Sequence, residues 1–181
     1  MLIRNYGLFW KRECVGWGRP KVPGHLKGVP AKNRTDQAVD FREQQGVYVL
    51  YDDNFKILYV GQAGANGNQR LFQRLRQHKV DSLAQRWTRF SWFGTRKVNK
   101  DHTLGLETSA AHPSISDILN HIEGILIAST EPPHNRQAGK FGPLVDQYLQ
   151  HVEKPKKDGP TIHEMIKELW DDYKRSQANK S

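Results

Sequence analysis

The stretch "GVYVLYDDNFKILYVGQ" sets two tyrosines beside glycines on the arms of what reads as a short hairpin, Tyr48 on one arm and Tyr59 on the other. A phenol can donate a hydrogen bond, or accept a proton if its surroundings lower a pKa ordinarily near 10. A turn centred on Asp53-Asn54 makes Tyr48 and Tyr59 direct cross-strand partners, roughly 5 Å apart at Cβ. An aromatic pair that merely stabilises a sheet has the same pattern. Downstream, "NQRLFQRLRQHK" has helical period with Leu71, Phe72 and Leu75 on one side. His78 points with that apolar stripe and Arg74 sits on its edge one turn earlier, so the two can converge on one small target. A core histidine beside a snorkelling arginine would look alike.

Two further residues carry possible chemistry. Glu123, in "HIEGILI", shares a helical column with Leu119 and Ile127 and flanks an apolar stripe. A carboxylate partly removed from water needs donors or a cation. Glu123 therefore reads equally as a salt-bridge partner and as a ligand for a hard divalent cation. Asn135 lies in "EPPHNRQ", a loop fixed by two prolines, where an amide can also cap a turn.

The elements that must position these residues follow from periodicity and breakers. Residues 1–43 read as a loop-rich basic arm; "GLFWKRECVGW" could supply a strand, while "GWGRPKVPGHLKGVP" is broken repeatedly by glycine and proline. The tyrosine hairpin, the arginine–histidine helix and a short helical "DSLAQRW" come next, and "TRFSWFGTRKV" reads as a third strand. In "RWTRFSWFG", Arg86 and Arg89 interleave with Trp87 and Trp92, as in a nucleic-acid platform or a strand with one core face. "PSISDILNHIEGILIAS" is the best-defined helix, with Ser114 as its cap and Ile115, Ile118, Leu119, Ile122, Ile125 and Leu126 in helical period. Two more helices are expected, "GPLVDQYLQHV" and one opened by Thr161-Ile162-His163-Glu164. The expected fold is α+β, a small three-stranded antiparallel sheet flanked by helices, over residues 44–140, with a helical extension at 141–181.

Composition narrows the partner. The net charge of +9 divides as +5 over residues 1–40, −1 over 41–60, +8 over 61–100 and −3 over 101–181. A localised positive field just after the hairpin favours a polyanion, most simply nucleic acid, with Arg70, Arg76, Lys79 and Arg89 as its contacts. Cys14 is the sole cysteine, which excludes an intramolecular disulfide and a cysteine-held zinc. No apolar run approaches membrane-spanning length, and a cytoplasmic protein is the default expectation.

Taken in order, "GVY…YVG", "RLRQH", "HIEGILI" and "EPPHNRQ" resemble the GIY-YIG nuclease superfamily over roughly residues 44 to 140. The resemblance implies a DNA endonuclease that uses Mg²⁺ or Mn²⁺ at a one-metal site on duplex DNA. It assigns Glu123 to the metal and Arg74 to the phosphate, and places Asn135 in the site. It makes Tyr48 the acceptor of the attacking water's proton, with Tyr59 and His78 positioning phosphate or relaying that proton. Gly46 and Gly61 would then let the duplex backbone approach the hairpin. The competing class is a module that kept fold and charge and binds nucleic acid without cutting it.

Overall fold

The computed structural model describes residues 2–32, 37–64, 69–106, 114–131, 139, 141–142, 144–153, 166–167 and 169–170. Its strands are β1 (Asn5–Lys11), β2 (Lys27–Pro30), β3 (Val39–Asp40), β4 (Gly46–Tyr51), β5 (Ile57–Ala63), β6 (Arg89–Gly94) and β7 (Asp146–Gln150). Its α-helices are α1 (Leu71–Gln77), between β5 and β6, and α2 (Ile115–Thr130), between β6 and β7. Among the described residues these strands form one seven-stranded sheet in the order β3-β2-β7-β1-β6-β4-β5. β1 and β7 run parallel, and every other pairing is antiparallel.

This overturns the expected three-stranded antiparallel sheet flanked by helices. The basic arm is not a loop appended to a core, because it contributes three strands. "GPLVDQYLQHV" holds a strand where a helix was expected. Leu144, Val145, Tyr148, Leu149 and Val152 imitate helical spacing, yet Leu144 and Val152 are exposed, while Val145 and Tyr148 are buried on opposite faces of the sheet. Within the strand itself only Tyr148 is buried, so no apolar alternation marks it in the sequence. "DSLAQRW" forms turns rather than helix. The box opened by Thr161 and the loop bearing Asn135 lie outside the described residues.

Alternation along β4 divides the interior. Tyr48 and Leu50 face a larger core with Trp10, Phe41, Trp87, Phe90 and Trp92, onto which α1 packs Leu71, Phe72 and Leu75. Val49 and Tyr51 face a second core with Ile3, Phe93 and Phe141. α2 covers that second face through Ile125 and Ala128, and Tyr51 Oη donates to the Ser129 carbonyl at 2.9 Å. Ser114 caps α2 by accepting from the Asp117 N–H at 3.1 Å. The sheet-facing side of α2 is the small and polar one, with His121, Gly124 and Ser129 buried, whereas Ile115, Leu119, Ile122 and Leu126 are exposed. A Cβ at position 124 would lie 2.9 Å from the Phe141 ring, so glycine is what admits that packing.

Three buried phenols give the fold a pH dependence. Burial pushes Tyr48, Tyr51 and Tyr148 up to about 12. Their folded pKa values exceed the ordinary value near 10, so the native chain retains protons that the unfolded chain releases. Stability is fully present below about pH 10 and falls between about 10 and 12, by up to ~1.4 kcal/mol per pH unit for each phenol. Denaturant midpoints should therefore drop steadily across that window. A midpoint flat to about pH 12 would show that these phenols ionise inside the native fold.

Candidate functional site

β4 and β5 present the two tyrosines in a register displaced by two residues from the expected one. Tyr48 lies opposite Gly61, and Tyr59 lies opposite Leu50. The displacement comes from the turn. Asp52 Oδ1 accepts from the Asn54 and Lys56 N–H groups, both at 2.9 Å, and Phe55 adopts φ +62°. A bulge between Leu50 and Tyr51 completes the shift. Tyr48 and Tyr59 become diagonal neighbours on one face, with ring centroids 6.0 Å apart.

That register explains the glycines differently from the expected approach of a duplex. A Cβ at position 61 would lie 2.5 Å from Tyr48 Cζ and Oη, so Gly61 makes room for the Tyr48 ring. Gly46, at φ +140°, abuts the Phe93 carbonyl and permits a close backbone approach within the sheet.

α1 supplies the groups that meet the phenols. Its first N–H groups are satisfied by backbone carbonyls, Leu71 N to Gln44 O at 2.9 Å and Phe72 N to Arg42 O at 3.2 Å. Leu71, Phe72 and Leu75 anchor the helix, and its C-cap residue, His78, is buried. His78 Nε2 lies 2.8 Å from Tyr48 Oη, and His78 Nδ1 lies 2.6 Å from Asp81 Oδ2. Trp87 Nε1 donates to the His78 carbonyl at 3.0 Å and fixes the backbone there. The Tyr59 ring packs on the imidazole at 4.7 Å. Arg74 reaches Tyr59 Oη from NH2 at 3.5 Å, and its NH1 meets Gln69 and Gln77. Its Nε is buried and has no hydrogen-bond partner among the described residues.

The hydrogen-bond network sets the tautomer. Burial pushes the Asp81 carboxyl up, but the Leu83 N–H, His78 and the Arg74 charge outweigh it and hold the pKa below the ordinary carboxylate value. An ionised carboxylate only accepts, so Nδ1 of His78 carries the hydrogen. In the neutral imidazole, Nε2 is then the acceptor for the Tyr48 hydroxyl. Burial raises Tyr48 to about 12, and the opposing pull of Arg74 does not offset it. Tyr48 is therefore a neutral phenol near pH 7, hydrogen-bonded to a base that is itself held by a carboxylate.

The structure thus brings together Tyr48, Tyr59, Arg74 and His78, and adds Asp81. Sequence reasoning missed Asp81, although it left a signal. It is the single acidic residue between positions 61 and 100, and it follows His78 by three. Glu123 is not part of this cluster. It is exposed on α2, which covers the face of the sheet opposite Tyr48. Its carboxylate has no hydrogen bond or ion pair among the described residues, and no group of three or more metal ligands stands around it there. Within the tyrosine cluster both Asp81 oxygens are engaged, and no three His, Cys, Asp or Glu side chains among the described residues are grouped to hold a metal.

Of the expected polyanion contacts, Arg70 caps α1, where its N–H donates to Gln73 Oε1 at 3.1 Å. Arg76 is exposed, the Lys79 ammonium stands over Trp17 at 4.5 Å, and the Arg89 guanidinium stands over Phe55 at 4.8 Å. Trp87 and Trp92 are buried in the larger core, so "RWTRFSWFG" offers no aromatic platform to a ligand. No helix among the described residues is long and apolar enough to cross a membrane. Comparison with protein-family models, with curated proteins and with solved structures finds no match to this chain.

Proposed function

We propose that the chain is an endonuclease that hydrolyses DNA phosphodiester bonds in the manner of the GIY-YIG superfamily it resembles, acting in the cytoplasm. The observation that carries this reading is the hydrogen-bonded chain Asp81–His78–Tyr48 beside Arg74 and Tyr59. Phosphodiester hydrolysis needs a proton acceptor for water and a fork of donors for the phosphate. The first need is met as a relay. The Tyr48 oxygen takes a proton from water while its own proton passes to His78 Nε2, and Asp81 stabilises the imidazolium that forms. A phenol at about 12 cannot be the terminal base near pH 7, but one that hands its proton to histidine can transmit it.

Arg74 and Tyr59 meet the second need. The Arg74 contact to Tyr59 is 3.5 Å long, the weakest in the cluster. Tyr48 is fully covered, so phosphate and water reach it by parting that contact and replacing it with better donors to phosphate oxygens. Mg²⁺ or Mn²⁺ would supply charge neutralisation at the phosphate when bound, but Glu123, exposed on the layer across the sheet from Tyr48, does not place it there.

Nicking of supercoiled plasmid, followed with Mg²⁺ and with chelator, tests the reading directly. Glu123→Gln should nick close to the parent rate, because Glu123 lies on α2 across the sheet from the Tyr48 cluster. A Gln variant reduced to background with DNA binding intact would instead give Glu123 the metal-ligand role that the resemblance implies. Failure of the parent chain to nick any DNA would remove the hydrolase reading altogether.

A further inference from the structure

We propose that two adjoining clefts on either side of Trp17 seat the sugar–phosphate backbone of the DNA, on a surface built mainly by residues 11–24. The inference rests on the reading of DNA as the partner and assigns contacts that α1 alone does not provide. One cleft, of about 420 Å³, lies between the end of β1 and the segment entering β6, with Lys11, Arg12 and Arg89 on its walls. The other, of about 460 Å³, is enclosed by residues 17–24 and Arg76, and Arg19 and Lys21 contribute its charge. Trp17 belongs to both.

Three features favour an extended polyanion over a chance basic surface. First, the cations crowd without matching acids. Only Glu13 and Asp53 line the clefts on the negative side, and Glu13 is already paired with Lys11 at 3.4 Å. Desolvation and the positive charges of Arg12 and Arg76 lower the pKa of Lys79, which stands over the Trp17 ring. Second, two polar atoms from the walls of the first cleft, Thr88 Oγ1 and Arg89 Nε, are buried without hydrogen-bond partners among the described residues. Unmet donors of this kind are costly unless something completes them.

Third, the surface is held in shape beforehand. Arg19 and Val22 exchange backbone hydrogen bonds at 3.0 and 2.9 Å, and Pro20 and Pro23 restrict the turn between and after them. Trp17 Nε1 donates to the Arg12 carbonyl at 3.1 Å, and its ring packs on Phe72 of α1 at 5.7 Å. A preformed cationic surface loses little conformational freedom on binding. It also adjoins the proposed chemistry, because Trp87, which lines the first cleft, donates to the His78 carbonyl. Two successive clefts suit a run of phosphates better than a single small anion.

Fluorescence anisotropy of a labelled DNA duplex, titrated with the full chain over a range of KCl concentrations, tests the assignment. The variant Lys11→Gln/Arg19→Gln/Lys21→Gln should bind with a log–log salt slope shallower than the parent by roughly 2 to 3, since each lost phosphate contact removes about 0.9. Its melting temperature should match the parent's. The control Lys97→Gln/Lys100→Gln, whose residues line neither cleft, should keep the parent slope. An unchanged slope in the triple variant, an equal fall in the control, or no binding by the parent would each overturn the proposal. Parent binding with this slope but no cleavage would retain the clefts and remove the hydrolase reading; cleavage with an unchanged triple-variant slope would do the reverse.

Discussion

Tyr48→Phe should slow single-turnover DNA cleavage by at least ~10²-fold, the lower end expected when a proton-transfer group is lost. The substitution deletes one oxygen and leaves the ring in the space opened by Gly61, so the fold and the aromatic contact with Tyr59 persist. What disappears is the atom between water and His78 Nε2. Tyr59→Phe should cost less, because its hydroxyl meets Arg74 only at 3.5 Å and one hydrogen bond among several contributes ~1–2 kcal/mol. Quenched-flow rates on one duplex compare the two variants. Equal, small losses would make both phenols packing residues. A larger loss at Tyr59 would exchange the roles, making the less buried phenol the one that meets the water.

Asp81→Asn should be of similar or greater consequence, ~10² to 10⁴-fold in rate, with little change in stability. Asparagine can still accept from the Leu83 N–H through its oxygen, so the local turn is kept. Toward His78 it offers a donor in place of an acceptor. The imidazole must then present a lone pair at Nδ1 and carry its hydrogen on Nε2, where it can no longer receive the Tyr48 proton. Reversing the tautomer behind a catalytic histidine costs about 10⁴-fold in serine proteases, where the geometry likewise survives. Asp81→Glu should recover part of the rate, and the pH–rate profile of Asp81→Asn should lose its histidine limb. A profile and rate like the parent's would reduce Asp81 to a cap for the following turn.

The grouping of Tyr48, Tyr59, Arg74 and His78 was more legible in the sequence than the sheet that carries it. Arg74 and His78 can be placed from helical period alone, because α1 is anchored by three consecutive-turn apolar residues against one core. The pairing of Tyr48 with a histidine and of that histidine with Asp81 was hidden, since it depends on a turn beyond the helix that periodicity does not describe. Hairpin register was misjudged because an aspartate side chain, not the most turn-like dipeptide, fixes the loop. The sheet was underestimated for two reasons. β2 and β3 are too short to stand out from a glycine- and proline-rich stretch, and β7 buries only Tyr148, so it shows no apolar alternation. α2 was recognised by its apolar stripe, yet it packs by an adjoining side that shares only the edge of that stripe at Ile125, and there Gly124 allows close approach.

The strand order carries a consequence for how the chain reaches its native state. β7, the last strand among the described residues, lies between β2 and β1, and pairs with both. Until residue 150 has been synthesised, the β2–β3 pair lacks the strand it pairs with in the native sheet, whereas β1, β6, β4, β5 and α1 can already associate. Folding should therefore proceed in two stages, with the tyrosine–histidine cluster assembled early and the N-terminal hairpin captured late. A late central strand raises the sequence separation of the contacts that close the sheet, and slow closure leaves the β1 edge open to other chains in the interval. The yield of native protein should consequently be more sensitive to substitutions in β7, far from the candidate site, than the chemistry itself.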